Sequence, residues 1–160
     1  MRNWATRAVG ELAHRRDEIN ALNVFPVPDS DTGSNMAHTM EAAVAELDNG
    51  GDVADSLAFG AVRGARGNSG MVLSQVLRGV AESTVGSVID GDVFVRSLKQ
   101  AVELVDRAIA EPVEGTVITV LKAASESAED AQAQSGATLH STVSAAIAAA
   151  ETALERTPSQ

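Results

Sequence analysis

Apolar residues recur at helical spacing along nearly the whole chain. Trp4, Val9, Leu12 and Ala13 form a first amphipathic stretch whose other face is rich in arginine. Met36, Met40, Ala43, Val44 and Leu47 follow an i, i+4, i+7, i+8, i+11 rhythm and predict a second helix. Asn49-Gly50-Gly51-Asp52 ends it, and Asp52 is placed to cap a short third helix through Leu57 and Ala61. Val72, Leu73, Val76, Leu77 and Val80 predict a fourth. The clearest helix carries Phe94, Leu98, Ala101, Val102, Val105 and Ile109, with Pro112 as its stop. Another begins after Thr116 with Val117, Ile118, Val120, Leu121 and Ala124, and a last one carries Leu139, Val143, Ala146, Ile147, Ala150 and Leu154. No internal repeat and no strand pattern stands out. Ser127–Gly136 is polar enough to fray but too short to be a domain linker. The expectation is one all-α domain over residues 1–160, a compact bundle or helical barrel of about seven helices.

Composition supports that architecture. Hydrophobic residues make up 44% of the 160, yet the only aromatics are Trp4, Phe25, Phe59 and Phe94. Alanine, valine and leucine must build the core, and such small side chains suit closely packed helices better than a β-sandwich. A net charge of −10 argues against nucleic acid and against an anionic membrane surface as partners. It leaves room for a triphosphate whose charge is neutralised by metal ions. Without cysteine there are neither disulfides nor thiolate metal sites. No apolar run approaches the ~20 residues of a membrane span, and the expected location is the cytoplasm.

Three segments interrupt the helical pattern. In the first, Leu22 to Met36, Pro26 and Pro28 impose an extended approach, and Asp29 and Asp31 follow where the chain turns into the second helix. Two carboxylates ~4 Å apart repel by roughly 4 kcal/mol at an effective dielectric of about 20. A hard cation removes that cost, and oxygen ligands suit magnesium or calcium. Thr32, Ser34 and Asn35 add polar groups around Gly33. The alternative is an ordinary aspartate helix cap. A calcium EF-hand fits poorly, since Ser34 and Met40 stand where its glycine and glutamate would be.

The second segment, Gly60 to Gly70, lies directly ahead of the fourth helix. Its glycines either let the backbone approach a phosphate at a helix start or let two helices cross closely. It lacks the Gly-Lys-Ser/Thr of a P-loop, and its spacing is not Gly-x-Gly-x-x-Gly. The third, Glu111-Pro112-Val113-Glu114-Gly115-Thr116, reads as a helix stop, a turn and a threonine cap. His14, His38 and His140 lack metal-ligand spacing, and no Ser/His/Asp triad is apparent.

Taken together, Asn23–Met36, Gly64–Gly70 and Pro112–Thr116 resemble, in order, the ATP-binding domain of bacterial fatty acid kinase, which is related to the ATP-binding (L) subunit of dihydroxyacetone kinase. The resemblance covers essentially the whole chain. It implies an antiparallel helical barrel with ATP and two magnesium ions at one mouth. It implies Asp29 and Asp31 as metal ligands, with Asn23 a further polar ligand. Thr32, Gly33, Ser34, Asn35, Gly67, Asn68, Ser69 and Gly70 would line the nucleotide site, with Thr116 close by. It also implies a partner protein that holds the phosphoryl acceptor, a fatty acid whose carboxylate becomes an acyl phosphate. No catalytic side chain is implied beyond these ligands, and homodimerisation is left open.

This chain departs from the family at three points. Ser30 replaces the usual glycine between the aspartates, and Ser34 replaces a threonine. The family's aspartate- and glycine-rich segment and closing helix have no counterpart before Gln160, so the expectation is an N-terminal fragment of a longer protein, its barrel lacking the closing helix. The alternatives are the ATP-binding subunit of a dihydroxyacetone (glycerone) kinase and a nucleotide-binding module without turnover.

Overall fold

The computed structural model describes residues 1–22, 29–86, 88–109 and 117–156. These residues fold into seven α-helices: α1 Arg2–Leu22, α2 Thr32–Glu46, α3 Val53–Gly64, α4 Gly67–Ser83, α5 Gly91–Ala108, α6 Val117–Gln132 and α7 Leu139–Arg156. Among the described residues there is no strand, only an isolated bridge between Val85 and Val88. The all-α expectation therefore holds. The chain divides into two compact units, Met1–Ala81 and Glu82–Gln160.

In the first unit, α2 packs against both α1 and α3. Its core joins Ala5, Met40, Ala43, Leu47, Leu57, Ala61 and Leu77. Three of these seven are alanines, which take up little room between helices, and the rest are leucine or methionine. Full burial of Leu57 or Leu77 contributes about 1.5–3 kcal/mol each. Trp4 corrects the sequence pattern: it is 55% exposed, and Ala5 faces the core instead. α1 buries the stripe of Ala5, Ala8, Val9 and Leu12, and the Trp4 ring falls outside it.

α2 ends in a 3-10 turn at Leu47–Asn49, and the Arg2 guanidinium donates to the Leu47 carbonyl at 3.0 Å. Gly50 and Gly51 follow with φ of +80° and +102°, the left-handed conformations that glycine tolerates best. Asp52 then caps α3 as expected, accepting from the amides of Ala54 and Asp55.

In the second unit, α6 packs against both α5 and α7. Asp90 caps α5 through the Val93 amide, and Thr138 and Ser141 cap α7 reciprocally. Ser127–Gly136 does not fray throughout: its first six residues, to Gln132, complete α6. Their polar groups find tertiary partners. The Ser127 hydroxyl donates to the Ala145 carbonyl at 3.1 Å, while the Gln132 side chain donates to Asp92 and accepts from Thr142. α7 buries Thr142 and Ala146, leaving Leu139, Ile147 and Leu154 exposed, contrary to the apolar face read from sequence. α5 ends at Ala108, and its proposed stop, Pro112, lies outside the described residues. No described helix is long and apolar enough to cross a membrane.

Candidate functional site

Asp29, Ser30 and Asp31 form the turn into α2. Asp29 and Ser30 are exposed and Asp31 is half-buried. Ser30 has φ +54°, the only positive value among described non-glycine residues. A left-handed backbone costs an L-residue roughly 1–2 kcal/mol, so the turn geometry that favours glycine is kept although the residue is serine. Strain of this kind gathers where surrounding structure holds a loop in one shape.

Asp31 occupies the N-cap position of α2, but its side chain makes no cap hydrogen bond. The reason is in its backbone. At φ −119° and ψ −2° it lies outside the extended region from which a cap side chain reaches back to the first turn. Asp52 and Asp90, with ψ of 138° and −174°, are extended and do cap their helices. The helix-cap alternative raised by the sequence therefore fails for the Asp31 carboxylate.

The cap comes from another helix. The Asn20 amide oxygen accepts from the Ser34 backbone N–H at 3.1 Å, and the Asn20 amide nitrogen donates to the Ser34 hydroxyl at 3.0 Å. Gly33 makes this reach feasible. It is buried against the backbone of Arg16, and an added Cβ would collide with the Arg16 carbonyl. Arg16 and Asn20 are four residues apart, on one face of α1. Gly33 thus has a packing function, whatever else it contacts.

The second glycine segment lies on the first turns of α2. The Thr39 hydroxyl, fully buried, donates to the Asn35 carbonyl at 2.7 Å and accepts from the Arg66 backbone amide at 3.3 Å. Gly67, at φ +59°, abuts the Asn35 side chain, and Gly70 abuts the Thr39 hydroxyl. Further back, a Cβ on Gly60 would sit 2.5 Å from the Ala42 carbonyl oxygen. Close packing therefore accounts for several of these glycines. It does not account for Asn68 and Ser69, whose side chains make no hydrogen bond to another described residue. Nor does it use the amides that open α4, which point away from the helix body as at any helix start.

The structure thus brings Asn35 against Gly67 and Gly70, joining two of the three segments singled out in the sequence within one unit. Asn23 and Thr116 lie outside the described residues. Sequence reasoning missed Asn20 and Thr39. Both lie in helices with no local irregularity, so neither had a signal. Among the described residues no group of three or more His, Asp or Glu is placed to hold a metal ion, His14, His38 and His140 included. Asp29 and Asp31 thus belong to no such group among the described residues. They do suit magnesium, which commonly takes one or two carboxylates and completes its shell with water and phosphate oxygens. A shallow depression of about 450 Å³ on α1, lined by Asn3, Trp4, Arg7, Ala8 and Glu11, includes none of these residues.

Comparison with known proteins gives a family. The sequence pattern of the DAK2 domain matches residues 26–160. An uncharacterized protein of Staphylococcus epidermidis is 39% identical over 125 residues, covering 74% of this chain and 23% of that protein. One from Staphylococcus aureus strain USA300 is 39% identical over 123 residues, covering 73% and 22% respectively. The chain thus spans less than a quarter of the length of these curated relatives.

Proposed function

The chain belongs to the DAK2 domain family, and from that premise we propose that it is the magnesium-ATP-binding domain of a multi-component kinase whose acceptor is a fatty acid carboxylate held by a lipid-binding partner protein. DAK2 domains are the ATP-binding modules of dihydroxyacetone-kinase-like proteins. The observation that carries the reading is the Asp31 carboxylate: it stands at a helix start, makes no cap bond, and has its capping duty taken over by Asn20.

In this proposal Asp29 and Asp31, with Asn23 as a further ligand, would hold the magnesium ions. Bound magnesium supplies charge neutralisation along the triphosphate. Thr32, Ser34 and Asn35 face the nucleotide from the α2 side. The amides of Gly67, Asn68 and Ser69 offer hydrogen bonds to phosphate oxygens at the start of α4. Phosphoryl transfer depends chiefly on such positioning and electrostatics. A fatty carboxylate is already ionised at pH 7, so its oxygen attacks the γ-phosphorus as the bond to the β–γ bridging oxygen breaks, and ADP leaves. No proton has to be removed, so this acceptor needs no general base. Thr116 would adjoin the nucleotide.

The family itself favours a second reading, in which dihydroxyacetone is the acceptor. Its hydroxyl must lose a proton, so the partner would have to bring a base. One assay separates the two. The chain, together with any remaining domains of its polypeptide, is incubated with ATP, magnesium and a fatty-acid-loaded lipid-binding protein in hydroxylamine, which converts an acyl phosphate to a hydroxamate. A parallel incubation without hydroxylamine offers dihydroxyacetone instead. Magnesium-dependent hydroxamate is expected. Phosphorylation of dihydroxyacetone with no hydroxamate would turn the assignment to the second reading.

A further inference from the structure

We propose that Asn20 is a positioning residue for the metal site: by capping α2 from a neighbouring helix, it releases the Asp31 carboxylate for a cation. The inference rests on the proposed magnesium-ATP function and adds a residue outside the sequence motifs that suggested it.

The first turn of a helix leaves backbone N–H groups without partners. An aspartate at the N-cap ordinarily satisfies one at N2 or N3, and Asp52 and Asp90 do so here. At α2 the N3 amide belongs to Ser34, and its acceptor is Asn20, fourteen residues earlier. An aspartate cannot direct the same oxygen both at an N3 amide and outward at a metal without weakening both contacts. Asn20 removes the conflict. Its amide orientation is set by the chemistry, because the Ser34 N–H must meet an oxygen and the Asn20 nitrogen is left to donate to the Ser34 hydroxyl.

Three further features set the native turn around Asp31 while Asn20 satisfies the Ser34 amide. The Gly33–Arg16 contact holds α1 against the first turn of α2, one helical turn from Asn20. The left-handed backbone at Ser30 fixes the direction from which the chain reaches Asp31. The Asp31 backbone itself is outside the extended region. In Asn20→Leu the Ser34 amide loses its acceptor, and Asp31 becomes the nearest replacement. Magnesium and the amide then compete for one carboxylate.

The test uses the full chain and two readouts. In the first, ATP binding is titrated against magnesium by calorimetry. Asn20→Leu and Asn20→Ala are expected to raise the magnesium concentration for half-maximal binding at least tenfold. Asn20→Asp, which keeps an acceptor for the Ser34 amide, is expected to stay within threefold of the unaltered chain. In the second, melting is followed in EDTA without nucleotide. Asp31→Ala should move the midpoint little in the unaltered chain and lower it by several degrees in the Asn20→Leu background, where Asp31 has become the cap. A purely structural Asn20 gives additive melting shifts and unchanged magnesium dependence, and that result overturns the inference. A tenfold loss in Asn20→Asp overturns it too. If the unaltered chain shows no magnesium-dependent ATP binding, the proposed function fails and this inference falls with it. If the unaltered chain binds and Asn20→Leu binds equally well, only the inference fails.

Discussion

The backbone amide of Arg66 donates to the hydroxyl of Thr39, 27 residues away, at 3.3 Å. That one oxygen ties the glycine segment ahead of α4 to the second turn of α2, while its own proton goes to the Asn35 carbonyl at 2.7 Å. Thr39→Val keeps the shape and removes both bonds. It should cost about 1–2 kcal/mol, because the Arg66 amide is left partly buried without its acceptor. Urea denaturation measures this directly, and an unchanged midpoint would mean that the loop is held by other contacts.

Ser30 supplies a second prediction. Its φ of +54° suits glycine. Ser30→Gly should relieve about 1–2 kcal/mol of left-handed strain, of which about 0.4–1 kcal/mol returns as unfolded-chain entropy. The net expectation is a gain of roughly 0.5–1 kcal/mol in denaturant unfolding. Ser30→Val, β-branched and poorly suited to that region, should lose stability. A loss in Ser30→Gly would show that the hydroxyl contributes more than the backbone conformation costs.

Two glycines in the first unit should respond in opposite directions. Gly33 has the Arg16 backbone against it, so Gly33→Ala should destabilise by about 1–3 kcal/mol through overpacking. Gly10 lies within α1 with nothing within 4 Å of an added Cβ. Gly10→Ala should therefore stabilise by about 0.5–1 kcal/mol through helix propensity. Paired melting curves decide the matter, and equal effects at the two positions would contradict the α1–α2 crossing described above.

Much of the helical framework was legible in the sequence because apolar periodicity, capping aspartates and glycine pairs are local signals. Asp52 was identifiable from its place after Gly50-Gly51, and the helix starting at Val117 from its apolar run. What escaped depends on partners distant along the chain. Ser127–Gln132 looks polar and frayed until Ala145, Asp92 and Thr142 supply its hydrogen bonds. Trp4 looks like a core residue until the stripe at Ala5, Ala8 and Leu12 takes that face. The candidate site divides in the same way. Asp29, Asp31 and the glycine segment were visible as breaks in the pattern, whereas Asn20 and Thr39 sit in unbroken helices and act only across a helix crossing. Glycine was the ambiguous letter: at Gly67 and Gly70 a close neighbour is present whether or not phosphate binds.

Ser69 separates those two uses of the segment. Its side chain makes no hydrogen bond to a described residue, so Ser69→Ala should leave the melting midpoint nearly unchanged. If the hydroxyl contacts phosphate, the same change should weaken ATP by about 1.5–3 kcal/mol, the worth of a hydrogen bond to a charged group. Adenosine, which lacks phosphates, should bind both forms alike. Unchanged ATP affinity would remove the hydroxyl from the site and leave only the backbone amides as phosphate donors.

Calorimetric titration of ATP into the full chain shows whether Asp29 and Asp31 bind the nucleotide through magnesium. Three forms are compared, the unaltered chain, Asp29→Asn and Asp31→Asn, each in magnesium and in EDTA. Saturable ATP binding by the unaltered chain in magnesium is expected, with loss of that binding in EDTA and in both variants. ATP at ~100 times the dissociation constant should then stabilise the fold by about 2.7 kcal/mol, again only with magnesium. Equal ATP affinity in EDTA, or full affinity in Asp31→Asn, would rule out magnesium-mediated binding at these carboxylates.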